Sequence, residues 1–101
     1  MAQTTPKEIA AKNLIARRLC DGMARRKITQ TALGAAVERG QGVISDWRSG
    51  QRRLNYSDAW RVAEILGIPI DALIGPPRTE VERRQYDADV VAATRRPHHA
   101  S

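Results

Sequence analysis

Ile28-Thr-Gln-Thr-Ala-Leu-Gly-Ala-Ala-Val37, followed after Glu38-Arg39 by Gly40-Gln-Gly-Val-Ile-Ser-Asp-Trp-Arg-Ser-Gly50, decides how this chain folds. Thr29 stands where an N-cap is needed, directly after Ile28, whose side chain can staple the turn. Gln30 to Val37 carry Leu33 and Val37 one turn apart and read as a short helix. Glu38-Arg39-Gly40 breaks that pattern. A second short helix follows from Gln41 to Arg48 or Ser49, and Gly50 stops it. On a wheel of about 100° per residue, Val43, Ile44 and Trp47 form its only apolar arc. Gln41, Gly42, Ser45, Asp46 and Ser49 spread across the opposite arc.

The flanking sequence reads as further capped helices. Thr5-Pro6-Lys7-Glu8 is a capping box with proline at the first helical position. The helix it opens runs to about Arg26, with Ile15, Leu19 and Met23 as the inward stripe. Lys12, Arg17, Arg18, Arg25 and Arg26 are expected on the other surfaces, and Gly22 marks a close packing point. Asn55 caps a fourth helix, Tyr56 to Leu66, whose apolar set is Tyr56, Ala59, Trp60, Val62, Ala63 and Leu66. Gly67 stops it. A fifth helix spans Ile70 to Ile74 and is closed by Gly75-Pro76-Pro77. Thr79-Glu80-Val81-Glu82 is one more capping box, predicting a sixth helix over about residues 80–93 with a sparse stripe of Val81, Tyr86, Val90 and Val91. Residues 95–101 are expected to be disordered. No strand alternation is present, so the chain is expected to be all-α: a bundle over 6–75 and an extension over 76–101.

The 101 residues suit one small domain, with little room for a deep catalytic cleft. The formal charge is +6, and 14 of the 17 basic residues are arginine. That favours a polyanionic partner, with guanidinium forks suited to phosphate and guanine. A merely solubilising surface would look much the same. Cys20 is single, which permits no internal disulfide and fits a reducing cytoplasm. No apolar run approaches the roughly 18 residues of a membrane span, and the first residues do not resemble a signal peptide.

The paired short helices have the outline of a helix-turn-helix. Short polar side chains and a glycine on the outer arc of the second helix let it approach base edges in a major groove. Gln41 can donate to and accept from adenine, whereas Asp46 would be repelled by phosphate unless it accepts from a cytosine amino group or an Arg restrains it. An ordinary amphipathic surface helix is the competing reading for these residues alone. The Thr29-capped helix before it and the basic segment Arg48-Ser-Gly-Gln-Arg-Arg53 after it turn the balance towards DNA. Thr29 and Gln30 would meet one phosphate, and Arg52 and Arg53 another.

At this point the chain resembles the lambda-repressor-like, Cro/C1-type helix-turn-helix family, also called the xenobiotic-response-element family. The resemblance covers about Ile15 to Ile74. It is carried by Ile28-Thr-Gln-Thr-Ala-Leu33 with Val37, by Val43-Ile-Ser-Asp-Trp-Arg-Ser-Gly50, and by Val62-Ala-Glu-Ile-Leu-Gly-Ile-Pro-Ile-Asp-Ala-Leu-Ile74. It implies a five-helix bundle that binds an operator, commonly as a dimer on a palindrome. It also implies base reading by Gln41, Gly42, Ser45 and Asp46. Gln30 matches a glutamine that contacts the backbone or braces the recognition helix. Ser49 and Gln51 match the phosphate-contacting corner. Three departures stand out, the mildest being Gly34 in place of the usual alanine of the second helix, a small change that preserves close packing. Glu38-Arg39 replaces the usual glycine and apolar residue of the turn, which leaves Arg39 to reach phosphate. Arg48 replaces a common acidic residue whose partner would be an arginine near Met23, so Arg48 too is left for DNA.

Two functions compete on this reading. The leading one is a transcriptional regulator of phage Cro or repressor type, acting as a homodimer on double-stranded DNA in the cytoplasm of a bacterium or phage-infected host. The other is an antitoxin-like protein-interaction module using residues 79–101. An enzyme is not expected. His98 and His99 are adjacent near the end of the chain, and no phosphate loop, paired carboxylates, cofactor site or metal-ligand set accompanies them.

Overall fold

The computed structural model describes residues 4–95, which form α1 (Pro6–Arg26), α2 (Gln30–Val37), α3 (Gln41–Ser49), α4 (Tyr56–Leu66), α5 (Ile70–Ile74) and α6 (Glu80–Arg95). The fold is all-helical, as expected. Arg95, expected in a disordered end, is instead the last residue of α6. His98 and His99 lie outside the described residues. Among those described, no helix is long and apolar enough to cross a membrane, and no cluster of His, Cys, Asp and Glu could hold a metal.

Local capping places the helix ends. Thr5, Thr29, Asn55 and Thr79 accept side-chain hydrogen bonds from the N–H groups of Glu8 (3.1 Å), Ala32 (3.0 Å), Asp58 (2.8 Å) and Glu82 (3.1 Å). Each such cap contributes about 1 kcal/mol. The core is then assembled from α1 to α5: Leu19, Leu33, Val37, Ile44, Trp47, Val62 and Leu73 are fully buried. Gly22 is the expected packing point, since a Cβ there would lie 2.9 Å from Leu66 Cδ1.

Three expectations about which residues face inward need correcting. On α4, Tyr56 and Trp60 are not inward but 67% and 54% exposed. Asp58, Ala59, Val62, Ala63 and Leu66 form the buried face instead. Periodicity offers several neighbouring arcs. The small side chains of Ala59 and Ala63 let the backbone approach, and Asp58 finds a cationic partner on that side.

The second correction is Arg18, expected at the surface but buried. Because α1 packs against α3, α4 and α5 and also against α6, Ala10, Leu14 and Arg18 are covered along with Leu19 and Met23. Arg18 Nε donates to Glu82 Oε2 at 2.9 Å, and Nη2 donates to Glu82 Oε1 at 2.9 Å and to the Pro76 carbonyl at 2.8 Å. Nη1 donates to the carbonyls of Leu73 (3.2 Å) and Gly75 (2.6 Å). All five guanidinium hydrogens are thereby used. Arg17 adds an outer ion pair to Asp89 at 2.9 Å. The face that α6 turns inward is accordingly Glu82, Tyr86, Asp89, Val90 and Ala93, while Val81 and Val91 face solvent. The third correction is the expected stripe of Val81, Tyr86, Val90 and Val91, which is half right, because polar groups and not valines set the rotation of the helix.

Hydrogen bonds from Arg18 hold the Glu82 carboxyl at about 2 against an ordinary 4.5, overcoming the opposing effect of burial, and the Arg78 N–H assists. A carboxylate depressed in this way stabilises the fold above its unfolded pKa and loses that contribution as pH falls through its folded one. Arg18→Met is expected to cost about 3 kcal/mol in urea unfolding at neutral pH. The stability gap between wild type and Glu82→Gln should close as pH falls from about 4.5 to about 2. A gap independent of pH would contradict the assignment.

Candidate nucleic-acid interface

The α2–α3 connection is three residues long and built from an unusual pair. Glu38 adopts left-handed geometry (φ 58°), normally the place of a glycine, and ends α2. The Arg39 N–H then returns to the Gly34 carbonyl at 2.9 Å. Gly34 is what allows this closure, since a Cβ there would lie 2.8 Å from the Arg39 carbonyl oxygen. The glycine missing from the turn is thus matched by one inside α2. Gly40 takes the N-cap position of α3 without a side-chain cap.

Below the connection, α3 is anchored by Ile44 and Trp47, both buried, with half-buried Val43 packed beside them. Gln41, Gly42 and Ser45 are exposed, and Asp46 is half-buried. A Cβ added to Gly42 would meet nothing within 4 Å, so this part of the helix presents bare backbone to the exterior. Three of the four residues expected to read bases, Gln41, Gly42 and Ser45, thus lie on the exposed arc of α3.

A side-chain lattice spans the two helices. Gln30 Nε2 donates to the Gln41 carbonyl at 3.1 Å, and Gln41 Nε2 donates to Thr31 Oγ1 at 3.1 Å. Arg48 Nη1 donates to Gln30 Oε1 at 2.9 Å. Gln30 therefore touches both ends of α3. Thr31 carries no signal in the sequence that would single it out, because its role depends on where Gln41 falls in space.

The remaining expected residues are distributed around this frame. Thr29 is occupied as the cap of α2. Arg39 is half-exposed and paired with buried Asp58 at 2.9 Å, which ties the turn to α4. Asp46 holds Arg52 at 3.3 Å, and its carbonyl receives the N–H groups of Gln51 (2.9 Å) and Arg52 (3.2 Å). That fold-back shapes the corner after α3 and partly neutralises an acid on the outer arc. Ser49 donates to the Asp46 carbonyl at 3.2 Å. Gly50 (φ 79°) sits so close to Asn13 that a Cβ would lie 2.6 Å from Asn13 Oδ1. Gln51 and Arg53 are exposed, and Arg53 makes no ion pair among the described residues. Cys20 is half-buried where α1 meets α3, with Sγ 3.7 Å from the Arg48 carbonyl.

A family model described as helix-turn-helix matches residues 23–73, from the last turn of α1 to the buried Leu73 of α5. No curated protein and no solved structure matches the chain.

The turn can be tested by stability alone. Glu38→Gly should stabilise the protein by about 1 kcal/mol by relieving left-handed strain. Gly34→Ala should destabilise it despite the better helix propensity of alanine, because the Arg39 carbonyl would have to move. Thermal unfolding of both variants checks the pair, and a stabilised Gly34→Ala would refute the account of the turn.

Proposed function

Because this chain belongs to the Cro/C1-type helix-turn-helix family of DNA-binding transcription regulators, we propose that it is a Cro- or repressor-type protein that binds a palindromic operator as a homodimer, with α3 in the major groove. The observation carrying this reading is the lattice of Gln30, Thr31, Gln41 and Arg48, which braces α3 while leaving Gly42 and Ser45 uncovered. A rigid, shallow-surfaced helix is what direct readout needs. Gln41, Gly42, Ser45 and Asp46 are the base-reading set. Thr29, Gln30, Arg39, Arg48, Ser49, Gln51, Arg52 and Arg53 are the phosphate-side set, within which Arg53 is the cation least engaged internally. The phage setting and cytoplasmic location belong to the same proposal.

Selection from random duplexes at a stated salt concentration should return a half-site and its symmetry together. On that site, Gln41→Ala should cost about 1–3 kcal/mol and relax the preference at one base pair, whereas Arg53→Gln should weaken all sequences alike. Gel-shift titrations in which neither change has an effect would refute the assignment.

Exposed Val81 and Val91 on the outer face of α6 support a second reading, a protein partner docked there. Deleting α6 is a poor test, since it would strip the buried Arg18 of both Glu82 oxygens. Val81→Asp with Val91→Asp leaves that clasp intact. Loss of partner capture with unchanged DNA affinity would favour the second reading.

A further inference from the structure

A cleft of about 700 Å³ lies between the amino-terminal half of α1 and the connection from α3 to α4. Ile15, Leu54 and Ile74 contribute its apolar lining, and Glu8, Lys12 and Arg53 its charges. Lys12 stands upstream of the helix-turn-helix match at 23–73, so nothing about that family assigns it a role. Arg17, Arg18, Arg25, Arg39, Arg52 and Arg84 are all paired with carboxylates. Lys12 and Arg53 are not, among the described residues. Folding thus brings two uncommitted cations from distant parts of the chain to one cleft, with Glu8 as its single acid.

The cleft adjoins the corner Ser49–Arg53 that follows α3. A duplex whose major groove receives α3 must carry its backbone past that corner. We infer that Lys12 and Arg53 together hold a backbone phosphate flanking the bases read by α3, which makes the amino-terminal half of α1 a second DNA-contacting element. Lys12 is half-buried, and a lysine so placed can lay its hydrocarbon stem along the apolar lining while its ammonium reaches water. This inference rests on the DNA-binding reading above.

The test is the salt dependence of affinity for the selected duplex, measured over about 50–200 mM salt, where each neutralised phosphate contributes about 0.9 to the slope of log K against log salt. Lys12→Gln should reduce the slope by about that amount and weaken binding several-fold at low salt. Glu8→Gln should tighten binding, a gain that a folding defect cannot mimic. Arg83→Gln removes the same charge from the exposed surface of α6 and should leave the slope as it is. The inference is overturned if Lys12→Gln keeps the wild-type slope while Arg53→Gln lowers it. It is equally overturned if Lys12→Gln and Arg83→Gln lower the slope alike, since net charge alone would then explain the effect. A wild-type chain that binds no duplex would instead overturn the DNA-binding reading itself, and this inference with it.

Discussion

A guanidinium taken out of water is tolerated only when every one of its hydrogens finds an acceptor, and Arg18 meets that condition with five. Its partners are the Leu73 carbonyl near the end of α5, two carbonyls of the following turn, and both oxygens of Glu82. Carbonyls at the end of a helix otherwise lack intrahelical donors. One side chain of α1 therefore closes α5, sets the path of the connection and fixes the rotation of α6. The helix α5 has only five residues and could not persist alone. Its retention depends on this clasp and on burial of Leu73.

The same economy of shared partners organises the other end of the molecule. Gln30 braces both the start and the end of α3, Asp58 binds the turn through Arg39, and Asp46 folds the following corner back through Arg52. Apolar anchoring by Ile44 and Trp47 holds α3 against the core but leaves rotation about its contact line soft. The polar lattice adds a restraint at each end of the helix. The proposed role of α3 in reading bases calls for both, because hydrogen bonds to base edges tolerate only small errors in placement.

Much of the fold was legible because it is written in short-range signals. Thr5, Thr29, Asn55 and Thr79 announce helix starts, and Gly50 and Gly67 announce stops, by chemistry that acts within one turn. The arc of Val43, Ile44 and Trp47 was likewise readable, since a nine-residue helix with three large apolar groups has one way to bury them. The aromatics of α4 misled for the opposite reason. Tyr56 and Trp60 share helical spacing with the buried alanines, but close packing rewards small side chains, so the bulky pair stays outside.

The residues thus determined by themselves the helices, most of their ends and the apolar arc of α3, because capping, propensity and amphipathic spacing are properties of neighbours along the chain. Only the tertiary structure decided which cations are committed and which are free. Arg18, Arg39 and Arg52 read alike as surface charge, yet one is buried, one ties a turn to α4 and one restrains an acid. Lys12 and Arg53 come to share a cleft. Charge pairing acts through space at a few ångströms, so its outcome is set by which helices meet and not by order along the chain.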